Sequence, residues 1–188
     1  MTPDFDEKYF DTLYTANPDP WGYTSSPYEA RKYAATIGVL PNATYRHALE
    51  LGCSIGVLTA RLAKICNVLT AVDTSQRALA DARRRCPDPH VTFVHAHVPE
   101  GDWGTGFDLL VLSEILYYLQ PEAIQRLAKR LVHQADRGAH VVLVHWTGKT
   151  NYPLTADEAT ALLRSSLPVS VLDEVTQPKY RLDLWRFH

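Results

Sequence analysis

Residues 48–56, Ala-Leu-Glu-Leu-Gly-Cys-Ser-Ile-Gly, read as an apolar run that ends near an acidic side chain, Glu50, and passes into a Gly-x-Ser-x-Gly turn. Such a turn opens a helix, and Gly52 and Gly56 let the backbone approach a ligand closely. The dinucleotide fingerprint needs Gly-x-Gly-x-x-Gly, and this turn has neither its third glycine nor its spacing, which points to an amino acid and a nucleoside instead of a pyrophosphate. Asp73 follows Glu50 by 23 positions, at the end of the next apolar run. A carboxylate there can accept both hydroxyls of a ribose.

These side chains need strand ends to carry them. Short apolar runs at His47–Leu51, Val68–Val72, Val91–His95, Phe107–Leu112 and His140–Val144 predict five strands, buried on both faces. Between them, Ile55–Cys66, Ser75–Cys86 and Pro121–Ala135 carry apolar residues at helical spacing, with Ser75 as a cap and Pro121 in a first turn. Strand and helix alternate, which predicts a parallel sheet covered by helices on both faces. The tail differs: a helix over Thr155–Leu167 precedes two β-like runs, Val169–Val175 and Tyr180–Phe187, joined by a short link at Thr176–Lys179. That is an antiparallel hairpin closing the sheet. The fold class expected is α/β, Rossmann-like, with a seven-stranded, mostly parallel sheet. Residues 1–188 form a single domain in this reading, with 46–188 as its core. Residues 1–45, with the turn-rich Asn17–Gly22 and a helix over Tyr28–Leu40, form a lid.

The turn at Glu50–Gly56 with Asp73 is similar to motif I and the following acidic residue of the class I methyltransferases. Phe107–Glu114 resembles that fold's fourth strand. Asp19-Pro20-Trp21, Glu50–Gly56 and Ser113–Leu119 most resemble the NodS family of nodulation methyltransferases, which N-methylate a deacetylated chitooligosaccharide; the likeness runs from Asp19 to Val144. It implies the strand order three-two-one-four-five-seven-six, S-adenosylmethionine as methyl donor, S-adenosylhomocysteine as product and a small amine as acceptor. By the same likeness the cofactor lies along Glu50, Gly52, Cys53, Ser54 and Gly56, against Asp73 and Thr74, with Ser113 beside it. Where the superfamily often has an acidic residue near adenine, this chain has Ala96-His97-Val98, so either the His97 ring or the backbone near Val98 serves there. Lys32 is expected to pair with the cofactor's carboxylate, while Trp21 and Tyr28 close over the site.

In doubly wound folds ligands sit outside the carboxyl ends of the strands, so the acceptor should meet Ser113–Tyr118 and His145-Trp146. Methyl transfer from a sulfonium requires a neutral nucleophile held in line with the methyl carbon. Glu114 is placed to hydrogen-bond or deprotonate an amine, and Tyr117 and Tyr118 to orient it or attract its developing charge. His145 is the competing base, because its free pKa lies near neutrality.

The remaining classes are narrowed by composition. With 19 basic and 21 acidic residues the net charge is -2, which gives no field for nucleic acid or an anionic membrane. An Asn-Pro-Pro-Tyr-like loop for a flipped base is absent after strand four. Met1–Phe10 lacks the basic flank and apolar run of a secretory signal, and no apolar stretch reaches the ~20 residues of a membrane helix. Cys53, Cys66 and Cys86 share no metal-ligand spacing, and His95 and His97 lack a third ligand, so no metal is expected. A cytoplasmic monomer or homodimer follows. Two other readings stay open: a small-molecule O-methyltransferase, and a non-catalytic module that binds the cofactor and regulates a partner.

Overall fold

The computed structural model describes residues 5–188, so the first four residues of the expected lid lie outside the described residues. Seven strands form one sheet in the order β3-β2-β1-β4-β5-β7-β6. They are β1 (Tyr45–Leu51), β2 (Cys66–Asp73), β3 (Val91–His95), β4 (Phe107–Ser113), β5 (Ala135–Trp146), β6 (Val169–Gln177) and β7 (Tyr180–Phe187). β1 to β5 pair in parallel, while β5–β7 and β6–β7 are antiparallel, as the tail pattern and the resemblance implied.

Strand alternation splits the apolar residues between two layers. Leu49, Leu51, Leu110, Leu112, Val141, Leu143 and Trp185 face one side, where they meet α5 (Pro121–Gln134) and α6 (Ala156–Ser165). Ala48, Leu69, Leu109, Val111, Val142 and Leu184 face the other, against α2 (Pro27–Gly38) and α3 (Thr59–Leu62). Each fully buried leucine contributes about 1.5–3 kcal/mol. Helix α4 (Gln76–Arg85) covers β2 and β3, with the Ser75 hydroxyl accepting from Ala78 N at its start.

Three differences from the sequence pattern have local causes. The segment expected to be helical over Ile55–Cys66 keeps only Thr59–Leu62. Ser54 (φ 51°) and Gly56 (φ 80°) hold left-handed conformations that delay the helix, and β2 begins at Cys66. β5 starts at Ala135 instead of His140, since Ala135 pairs with Phe107 before a register shift. A helix α1 (Glu7–Ala16) stands where none was expected; Asp6 caps it, its carboxylate accepting from Tyr9 N at 2.9 Å.

Gly56 corrects one expectation. A Cβ there would lie 2.9 Å from Ala82 Cα and 3.2 Å from Ala82 O, so the approach of α4 requires its bareness, and Gly56 does not line the pocket. Gly56→Ala should cost about 3 kcal/mol, from left-handed strain plus backbone displacement. Thermal unfolding should then fall by roughly 6–12 °C, and an unchanged melting temperature would refute the packing role.

No helix among the described residues is long and apolar enough to cross a membrane. Among them, too, no group of three or more His, Cys, Asp or Glu is placed to hold a metal ion. His95 Nε2 lies 2.9 Å from Thr74 O, and His97 Nδ1 lies 3.3 Å from Thr74 Oγ1.

Candidate active site

The parallel strands β1, β2 and β4 end together, and a pocket of about 630 Å³, its open mouth included, lies beyond them. Its floor is Gly52, Ser54, Asp73 and Thr74, its far edge Ala96, His97 and Val98, and its near wall Ser113, Glu114, Ile115, Tyr118 and Leu119. Phe5, Phe10, Tyr14, Trp21 and Tyr23 close it from the N-terminal segment.

Asp73 is the polar anchor of the floor. Its Oδ2 accepts from Ser54 N at 2.7 Å and its Oδ1 from Ser75 N at 2.9 Å. Burial raises this carboxyl above its ordinary pKa, and the N–H groups of Ser75, Ser54 and Thr74 offset only part of that rise. The Ser54 and Ser75 bonds leave the carboxylate with further acceptor capacity. The carboxylate is only 9% exposed, not a free strand end, so it organises the turn as well as the pocket. Ser54 is held at φ 51° by this bond and by Tyr14, whose hydroxyl lies 2.5 Å from Ser54 Oγ.

The second built feature is Glu114, also left-handed at φ 55°. Strain of this kind in a non-glycine residue persists only where neighbours enforce it. Its own N–H donates to Val144 O at 2.8 Å. Its Oε1 accepts from Lys32 Nζ at 2.5 Å, and its Oε2 accepts from Tyr117 Oη at 2.6 Å and Trp146 N at 2.8 Å. Burial, then the Glu114 charge, holds the Tyr117 hydroxyl well above its ordinary pKa, so it remains a donor.

This network revises the expectation for Lys32. The side chain is 2% exposed and does not line the pocket; it is engaged by Glu114 and, at 2.8 Å, by Glu29 Oε2. Burial pulls its ammonium down, but the two carboxylates more than offset this, so its pKa stands above the usual lysine value. A cofactor carboxylate is therefore not its partner. Tyr28 does not close over the pocket either: its hydroxyl donates to Lys179 O at 3.3 Å, and its ring meets Tyr180.

His145 is likewise removed as a base. It is fully buried behind the wall, and burial pushes it down to about 4. Its Nε2 accepts from Leu116 N at 3.2 Å, which leaves the proton on Nδ1 and no free lone pair. It holds the loop after β4 in place.

Glu50 and Cys53 are also behind the surface. Glu50 is 1% exposed and accepts from Thr59 Oγ1 at 2.6 Å; burial raises its carboxyl to about 8. The folded state therefore keeps a proton that the unfolded chain releases near 4.5, and stability falls as pH rises through that window, by ~1.4 kcal/mol per unit. Glu50→Gln should abolish this slope and melt higher than the parent at about pH 8. Parallel slopes in the two proteins would refute it.

Trp21 lines the pocket as expected, whereas the closure by Phe5, Phe10, Tyr14 and Tyr23 has no counterpart in the sequence pattern. Phe10 and Tyr14 lie four apart behind the Asp6 cap, which is the signal that could have revealed α1. Phe5 and Phe10 pack on Tyr118 at 5.3 and 5.2 Å, Trp21 stacks on Tyr23 at 5.5 Å, and the Ser75 hydroxyl bonds Asp11.

Known proteins share this architecture. The crystal structure of N-methyltransferase NodS from Bradyrhizobium japonicum WM9, in complex with S-adenosyl-L-homocysteine, superposes with a TM-score of 0.85 at 22% identity, over 96% of this chain and 97% of that one. A putative methyltransferase from Pseudomonas syringae gives 0.75 at 34% identity, over 85% and 98%. Nodulation protein S of Rhizobium tropici is 35% identical over 127 residues, 66% of this chain and 53% of that protein. The chain thus spans about half the length of the curated relatives it matches. The family model of nodulation protein S matches residues 9–139, well over half of the sequence, and this chain belongs to the NodS family.

Proposed function

We propose that this chain is an S-adenosylmethionine-dependent N-methyltransferase acting on a small amine, with a cytoplasmic site of action. The observation that carries the reading is the placement of two carboxylates, Asp73 and Glu114, on one aromatic-walled pocket beyond the strand ends. The family relationship supports the reaction class, and the solved NodS neighbour holds the demethylated cofactor.

The residues fit the cofactor. Gly52, at φ 79°, keeps the floor bare, and Asp73 retains acceptor capacity for the ribose hydroxyls. Ala96, His97 and Val98 border the part of the pocket where a base would sit. S-adenosylmethionine, when bound, supplies an electrophilic methyl group carried by a sulfonium.

Glu114 gives the acceptor its place. Oε1 accepts from Lys32 alone among the described residues, which leaves a lone pair for an amine N–H. It orients the nitrogen, takes up its proton or balances the charge that forms on methylation. Tyr117 and Trp146 N hold the other oxygen still, so the carboxylate meets the substrate pre-oriented. Phe5, Phe10 and Tyr14 of the lid exclude water, which strengthens each of these interactions.

Incubation with methyl-labelled cofactor and a panel of aminosugars tests the reading. Label should pass to an amine; a cofactor-binding regulator would transfer nothing, and transfer to hydroxyl-only sugars would indicate an O-methyltransferase.

A further inference from the structure

We propose that Glu29 is a specificity-determining positioning residue: with Lys32 and Glu114 it forms a buried triad of two carboxylates on one ammonium, whose excess negative charge reserves the acceptor end of the pocket for an amine. The inference rests on the amine reading above and identifies what enforces it.

Glu29 stands in the first turn of α2, where its N–H meets the Ser26 cap at 3.3 Å. Such a glutamate ordinarily faces water and gains only a weak dipole interaction. Here its side chain is 9% exposed, and Oε2 sits 2.8 Å from Lys32 Nζ without a well-directed hydrogen bond. Lys32 and Glu114 already make a neutral pair at 2.5 Å. A second carboxylate therefore adds desolvation cost without being needed for neutrality.

Among the described residues no second cation pairs directly with either carboxylate; Arg61 and Lys179 stand over the Tyr33 and Tyr28 rings, at 5.6 and 5.8 Å from their centroids. The rings nearest Lys32 are the neutral Tyr28 and Tyr33, at 5.4 and 5.9 Å. Of the three, Glu114 alone reaches the pocket wall, so Glu29 acts through Lys32 and Glu114 on whatever binds there. In so dry a setting an unmatched charge discriminates strongly between an ammonium or amine and a hydroxyl.

The test compares glucosamine with glucose, a pair differing by one amine for one hydroxyl, in binding to the full chain saturated with S-adenosylhomocysteine. The parent should prefer glucosamine on the order of tenfold. Glu29→Gln should bring that ratio close to one, with glucose and S-adenosylhomocysteine affinities unchanged, and Glu29→Asp should restore part of it. An unchanged ratio in Glu29→Gln, a parent ratio near one, or equal weakening of all ligands would overturn the proposal. A parent that keeps the amine preference yet methylates no amine would instead sink the N-methyltransferase reading.

Discussion

Glu114→Gln should lower methyl transfer to an amine by about two orders of magnitude or more, with cofactor affinity within a few-fold of the parent. The carboxylate accepts from Lys32, Tyr117 and Trp146 N, and an amide cannot accept through both atoms. Either its NH2 faces the Lys32 ammonium, or it faces the Tyr117 hydroxyl and the Trp146 N–H. The first arrangement opposes two donors beside the acceptor's place, and the second frees the loop after β4. Both misplace the nucleophile, and small misplacements cost large factors in rate. Asp73 lies on another strand end, so donor binding is largely spared. Turnover is read from labelled product and affinity from calorimetry. Normal turnover would leave Glu114 a structural carboxylate and would transfer the acceptor role to Tyr118, the tyrosine of the wall.

The second large effect is at Asp73. Asp73→Asn should weaken S-adenosylmethionine and S-adenosylhomocysteine alike, about ten- to hundredfold, since hydrogen bonds to a charged acceptor contribute ~1.5–3 kcal/mol. Asparagine preserves the shape and can still accept from one of the two backbone N–H groups of Ser54 and Ser75. Alanine is the poorer probe. It would leave both N–H groups without this acceptor in a region that is nearly dry, and the fold would loosen with the site. Unchanged calorimetric affinity in a folded Asp73→Asn protein would refute the ribose assignment.

The division between what the sequence shows and what it hides follows the range of the interactions. Val91–His95 and Tyr180–Phe187 appear as strands because short β-rich runs mark them, although β3, at the edge of the sheet, buries none of its residues and so departs from the expected burial on both faces. The turn from Glu50 to Gly56 is legible because local backbone geometry, with positive φ at Gly52 and Gly56, selects its glycines. The roles inside it are not: Gly52 lines the pocket, whereas Gly56 answers to Ala82, which is distant in sequence. Lys32 and Glu114 are 82 positions apart, so nothing local could show that each takes the other. His145 looked like a base because a histidine at a strand end carries that chemistry; the Leu116 N–H that occupies it becomes visible only once the loop after β4 is folded. Nothing local distinguishes Glu29 from an ordinary first-turn glutamate; only the folded chain places it beside Lys32.

The most direct measurement of the central claim is mass spectrometry of the products formed from S-adenosylmethionine and a mixture of candidate acceptors, amines and alcohols together, with fragmentation to place the methyl group. The expected result is one added methyl group, located on nitrogen, and its loss in the Glu114→Gln protein. A methyl group on oxygen, or cofactor binding with no methylated product from any acceptor, would contradict it.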